Sequence, residues 1–302
     1  MTMFSLSTAW NFKRHKNGRD LVDEIKRIGF DTIELNFGLT EDIVDDILSL
    51  SNDSLIKVSS LHNMCPLPPE ILPANASPDH YSLASLDEKE RAIAVRIAKN
   101  TISYAHKFGA RAIVLHAGRV PVEDKIRGLE RLINDEKRFN AFRLEMMNER
   151  AARGKQYLER AMKSLSELIP YARDMNVCVG VENRYHYREI PIEDEFEVIF
   201  KNFPPGQLYY WHDVGHAEAF ERLGLCSHKR LLDKFSHRLI GIHLHDIIGA
   251  LGDHKAPGFG SFEFSMLKPY ITGDIIKVLE VHEPATADDI QKGAAYLNKI
   301  LG

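Results

Sequence analysis

The sequence predicts an α/β fold, a (β/α)8 TIM barrel with long βα-loop insertions. Three observations predict it. Short apolar runs alternate with longer amphipathic ones, the alternation repeats eight times, and no nucleotide-type glycine fingerprint follows the first run. Alternating strands and helices imply parallel pairing through right-handed crossovers. An open doubly wound sheet would need G-x-G-x-x-G after its first strand, and STAWNFKRHKNG supplies none. One barrel takes ~250 residues, so 302 residues read as one domain, residues 1–302, with insertions.

Phe4–Ala9 reads as the first strand, and Arg19–Ile28 as an amphipathic helix that Gly29 stops. Thr32–Phe37 is the second strand, followed by a helix over 41–50. Ile56–His62 is the third, followed by a Pro- and Asn-rich loop and then a helix from about Asp87 to Phe108, stopped by Gly109. Ala112–His116 is the fourth. A charged helical excursion over 123–153 merges into a helix over 156–175. Val177–Glu182 is the fifth strand, with a helix near 193–201. Leu208–Asp213 is the sixth, with a helix near 229–235. Leu239–His245 is the seventh, followed by a Gly-rich loop and a short helix near 264–270. Ile275–Val281 is the eighth, and Ala287–Leu301 closes the chain. The stretches 63–86 and 117–155 read as insertions on the catalytic face of a barrel, candidate lids or substrate walls.

Composition narrows the function classes. Hydrophobic residues are 44% and charged residues 27%, which excludes a disordered, collagen-like or membrane-bundle chain. No apolar run reaches the ~18 residues that span a bilayer. The formal net charge is −4, which disfavours a nucleic-acid partner. Cys65, Cys178 and Cys226 are odd in number and far apart, so a reducing compartment is expected. The first basic residues follow the apolar N-terminal stretch rather than precede it, unlike a signal peptide. The expected location is the cytoplasm.

Fourteen histidines are the unusual count, and their positions are informative. Barrel active sites sit at the C-terminal ends of the strands. Seven of the eight predicted strands end in an imidazole or carboxylate: Glu34, His62, His116, Glu182, Asp213 with His216, His243 with His245, and Glu280. His254 follows in the next loop. Strand period two is consistent, since Val58, Ser60 and His62 share a face, as do Ala112, Val114 and His116. A lone strand-end histidine is ordinarily a hydrogen-bonded rim residue. Glu34 reads as structural or supporting, and His212 as directed away from the interior. His15, His80, His106, His228 and His237 read as solvated, and His186 and His282 as rim residues. The joint recurrence at one end of seven strands instead argues for a divalent-metal site. Mixed imidazole and carboxylate donors suit zinc or manganese, with one to three ions, rather than calcium.

The ordered stretches SLHN, VLHAG, GVENR, HDVGHA, GIHLHD, PGFGSFEF and VLEVH resemble the xylose isomerase-like TIM-barrel superfamily, over residues 30–285. That superfamily includes sugar-phosphate isomerases and epimerases and the endonuclease IV branch. The isomerase branch implies one cation held by Glu182, Asp213, His243 and Glu280, with the two glutamates as acid and base. The endonuclease IV branch implies three zinc ions held by His62, His116, Glu182, Asp213, His216, His243, His254 and Glu280. That branch also places an aspartate two residues before the histidine at His254. Here Gly252 stands there and Asp253 is adjacent, a departure that bears on a third ion.

Two enzyme classes follow. The first is an isomerase or epimerase of a small sugar or sugar phosphate, with proton transfer by Glu182 and Glu280 through an enediolate. His245, Arg184, Lys255 and Arg119 are its candidate substrate-binding residues. PGFGSF reads as a tight turn, whose amides could alternatively meet an anion. The second class is a zinc phosphoesterase acting on abasic-site DNA, which expects a basic groove over 125–155. A non-catalytic ligand-binding barrel ranks third, because it has little use for so many aligned donors. Barrel isomerases often assemble, so a homo-oligomer is also open, although no interface is legible.

Overall fold

The computed structural model describes residues 4–302. Eight parallel strands close into a barrel: β1 (Ser5–Ser7), β2 (Thr32–Leu35), β3 (Lys57–His62), β4 (Ala112–Leu115), β5 (Cys178–Glu182), β6 (Tyr209–Asp213), β7 (Leu239–Leu244) and β10 (Ile276–Leu279). They neighbour one another in chain order, and β10 closes onto β1. Two further strands, β8 (Asp246–Ile248) and β9 (Gly252–Lys255), form a separate antiparallel hairpin above the barrel. The sequence reading has only a Gly-rich loop there.

The α-helices of the described residues are α1 (Gly18–Arg27), α2 (Glu41–Asn52), α3 (Glu88–Phe108), α4 (Ile126–Glu130), α5 (Glu136–Asp174), α6 (Glu193–Asn202), α7 (Val214–Arg222), α8 (His228–Phe235) and α9 (Ala287–Leu301), and the short helix expected near 264–270 is a 3-10 turn over Phe264–Leu267. Local chemistry sets their ends. The Asn17, Asp87, Asp135 and Thr286 side chains accept backbone N–H groups at the starts of α1, α3, α5 and α9. Gly109 ends α3 in the left-handed region at φ 64°. The excursion after β4 resolves into one 39-residue helix, α5, preceded by the short α4. Helix α7 is absent from the sequence reading, because Val214–Arg222 follows a strand with no intervening turn residue. Its N-cap is Asp213, whose carboxylate accepts the His216 N–H at 2.7 Å. One residue thus ends a strand, starts a helix and faces the barrel mouth.

The core has two layers. Leu, Ile, Val and Phe side chains fill the space between barrel and helices. Inside the barrel, Ala112, Val114, Trp211, Ile240, Ile276 and Val278 form a plug. Trp211 lies below the mouth, its indole 5.1 Å from the His243 ring. Gly180 and Gly241 border that indole, and a methyl at Gly241 would collide with it. The register sets Asp213 beside His243, and His243 beside Val278. Donors from successive strands therefore rise to one level above the plug.

Candidate active site

His243 is the centre of the mouth and is fully buried. Its Nε2 lies 3.0 Å from Glu34 Oε1, and Ser60 Oγ donates to the other Glu34 oxygen at 2.7 Å. A proton on Nε2 satisfies that contact and leaves Nδ1 facing the interior. Nδ1 lies 2.6 Å from Glu182 Oε1, 3.0 Å from Glu280 Oε2 and 3.5 Å from Asp213 Oδ2. One donor atom from each of Glu182, Asp213, His243 and Glu280 falls within 4.8 Å of the other three. Glu34 is therefore the group that orients His243, in line with its supporting role.

Two further donor sets flank this one. The first is His62, His116 and Glu182. His62 Nδ1 donates to the Asn63 carbonyl at 2.7 Å, which frees Nε2. His116 Nδ1 lies 3.1 Å from Asp79 Oδ2, and its Nε2 lies 2.8 Å from Glu182 Oε2. Asp79 comes from the loop after β3, and nothing in its surrounding sequence marks it. The second set is His216, Asp253 and His254. His216 Nδ1 donates to the Asn183 carbonyl at 3.0 Å. Asp253 belongs to this set despite its displaced position in the sequence, and His254 beside it, within β9, adopts φ 54°. His254 and His245 also approach Glu280 as a further trio.

The expected substrate-binding residues are placed differently from one another. His245 Nδ1 accepts the His254 N–H at 2.9 Å, and its Nε2 donates to both Asp213 oxygens at 3.0 Å. Both nitrogens serve the protein, and the ring fixes Asp213. Gly215 makes room for it, since a methyl there would overlap the imidazole. Arg184 is buried and held by Asp79 at 2.8 Å, Glu189 at 3.1 Å and Glu182 at 3.2 Å. Arg119 donates to the Asp79 carbonyl at 3.0 Å. Lys255 is half-buried on β9, among no ion pair of the described residues.

The PGFGSF loop is explained by Asp246, the last residue of GIHLHD. Its buried carboxylate accepts backbone N–H groups from Ile247, Gly258, Gly260 and Phe262, at 2.9 to 3.0 Å. The loop amides are thus turned inward. A methyl at Gly260 would strike the carboxylate, which accounts for the second glycine.

His228 corrects the sequence reading. It is buried rather than solvated, because α8 packs it against Phe262 at 5.0 Å. A hydrogen-bonded chain runs from Glu218 through His228 (3.1 Å), His212 (2.9 Å) and Tyr210 (2.7 Å) to Asn183 (3.1 Å). Asn183 Oδ1 also accepts the Asp213 N–H at 2.8 Å. His15 is likewise engaged, at 2.6 Å from Glu24. His186 lies 2.7 Å from Asp124, and His282 stacks on His254 with ring centroids 3.8 Å apart.

Electrostatics follow from this crowding. Burial raises the Glu182 carboxyl, but hydrogen bonds and charge from His116 and His243 outweigh it and hold it well below the usual range. Burial likewise opposes ionisation of Glu280, which His243 and His254 overcome. Glu34 is raised, chiefly by burial. His62 falls to about 4, through burial and the neighbouring His116. Glu34, Glu182, Asp213 and Glu280 converge on a single imidazole. So many buried carboxylates are costly without compensating positive charge. The donor set, its oriented imidazoles and its surplus of acid fit a divalent cation.

A family model of xylose isomerase-like TIM barrels matches residues 22–300. An uncharacterized protein of Methanocaldococcus jannaschii, MJ1614, is 24% identical over 221 residues, 73% of each chain. Among solved structures, a D-tagatose 3-epimerase-like protein superposes with a TM-score of 0.71 at 18% identity, covering 100% of this chain and 97% of its own. An AP endonuclease, family 2, from Brucella melitensis gives 0.66 at 14% identity, with 99% of both chains covered. The chain belongs to the xylose isomerase-like TIM-barrel family.

Proposed function

We propose that the chain is a divalent-metal-dependent isomerase or epimerase of a small sugar or sugar phosphate. The observation that carries this reading is the convergence of Glu182 and Glu280, from the ends of barrel strands β5 and β10, on the same nitrogen of His243 at 2.6 and 3.0 Å in a buried mouth. Glu182, Asp213, His243 and Glu280 would hold the cation. When bound, a zinc or manganese ion supplies Lewis-acid polarisation of a carbonyl and stabilises developing negative charge. Glu182 and Glu280 would act as the acid–base pair, one removing the proton α to the carbonyl and the other returning it, through an enediolate. His116 and Arg184 hold Glu182, and His245 holds Asp213, so one member of the acid–base pair and one cation ligand have fixed aim. Likeness to the D-tagatose 3-epimerase-like structure supports a carbohydrate substrate. Three free cysteines support a reducing location, the cytoplasm.

Solvent-exchange kinetics test this. Wild-type protein with Mn²⁺ or Zn²⁺ is expected to move deuterium from D2O into a ketose or aldose next to the carbonyl. Glu182→Gln and Glu280→Gln are each expected to lose at least ~10³-fold of that exchange while keeping native circular dichroism. Full activity in either variant removes the proposed acid–base pair.

A second reading, an endonuclease IV-like phosphoesterase, is favoured by the two flanking donor sets around Glu182 and Glu280. Against it, the excursion after β4 offers mixed charge. Lys125 pairs with Glu145 and Glu149, and Arg150 is buried on Glu195. Cleavage of abasic-site DNA by zinc-loaded protein distinguishes it.

A further inference from the structure

A cleft of about 420 Å³ opens on the same end of the barrel, between the loops that follow β1, β2, β3 and β10. It adjoins the candidate centre on two sides. Its His282 ring stacks on His254, and its Phe37 ring meets the edge of His62 at 5.5 Å. Phe12 and Phe37 supply apolar walls, and Ala76 lies on the outer lip. Asn36 is the built polar group of the cleft. It is 2% exposed, and its Oδ1 accepts the Gly38 N–H at 2.6 Å. No described residue accepts a hydrogen bond from its side-chain amide nitrogen. Lys13 stands at the rim without a carboxylate partner among the described residues, its Nζ 5.7 Å from the Phe12 ring centroid.

A volume in the ~300–1,000 Å³ range with aromatic walls and a few fixed donors is that of a small-molecule site. We infer that the cleft is a subsite for a second sugar ring, so that the substrate is a glycosyl-substituted sugar rather than a free monosaccharide. The inference rests on the isomerase or epimerase reading. A pyranose presents a flat C–H face to the phenyl rings and edge hydroxyls to the Asn36 amide, the His282 ring and the Lys13 ammonium. The Glu283 carboxylate at the same rim is paired with Arg14 at 3.2 Å.

The test compares D-fructose with its 3-, 4- and 6-O-glucosides (turanose, maltulose and isomaltulose). Binding to Mn²⁺-loaded protein is read by calorimetry and saturation-transfer NMR, and deuterium uptake is followed in parallel. At least one glucoside is expected to bind tenfold or more tightly than fructose. Ala76→Trp, which fills the cleft, and Phe12→Ala, which removes a wall, are each expected to erase that preference. Equal binding of all four sugars by wild type overturns the subsite, as does a preference that survives in both variants. Exchange into fructose without any glucoside preference overturns the subsite and leaves the catalytic reading standing. Neither binding nor exchange with any of the four overturns both.

Discussion

At the scale of single residues, the site is a set of side chains each held by a second. His243 is oriented by Glu34, His116 by Asp79, Asp213 by His245 and Asn183. Groups that fix the far nitrogen of a ligand histidine commonly change metal affinity ~10–100-fold. Glu34→Gln is therefore expected to weaken Mn²⁺ or Zn²⁺ binding by that factor in a competition titration, with little change in secondary structure. Unchanged affinity would remove Glu34 from this role. Tyr210→Phe deletes the hydroxyl that joins His212 to Asn183 and strands buried polar groups. It is expected to cost about 1–3 kcal/mol in urea unfolding. A loss within error of zero would show that the chain from Glu218 to Asn183 does not stiffen β5 and β6.

At the scale of elements, two segments close over the barrel through one carboxylate each. Asp246 gathers the loop at 258–262, so Asp246→Ala is expected to loosen that loop, seen as faster amide exchange at Gly258, Gly260 and Phe262. Glu24 on α1 gathers Asn11, Arg14 and His15 from the segment after β1. Burial opposes its ionisation, but hydrogen bonds from His15, Arg14 and Asn11 lower it from 4.5 to about 2. A depressed carboxyl stabilises the fold above its unfolded value and loses that contribution as pH falls through the folded value. Wild type is thus expected to exceed Glu24→Gln in thermal stability above pH 5, and the difference should shrink between pH 4.5 and 2. A difference independent of pH would refute the assignment. The Glu24 side chain keeps 24% of its surface accessible to solvent, and its partner Arg14 33%, so screening keeps the effect small.

At the scale of the whole molecule, the barrel was legible because its period is a property of many residues at once. Strand ends such as VSSLH and GIHLHD also placed donors on one face without any structure. What was not legible depends on contacts distant in sequence. Asp79 lies 37 residues from His116 and carries no local signature. His228 has the pattern of an exposed helix start, and only Phe262 and His212 bury it. Helix α7 follows β6 directly, so no turn residue announced it. The hairpin of β8 and β9 was hidden by its glycines, and it sets Asp253 beside His216 and His254. No helix of the described residues is long and apolar enough to cross a membrane. The most direct measurement is metal stoichiometry by elemental analysis on protein purified without an affinity tag or chelator. Close to one manganese or zinc ion per chain is expected, lost in Asp213→Ala. Two or three zinc ions per chain would contradict the mononuclear isomerase in favour of the phosphoesterase, and no ion retained or taken up would contradict the centre itself.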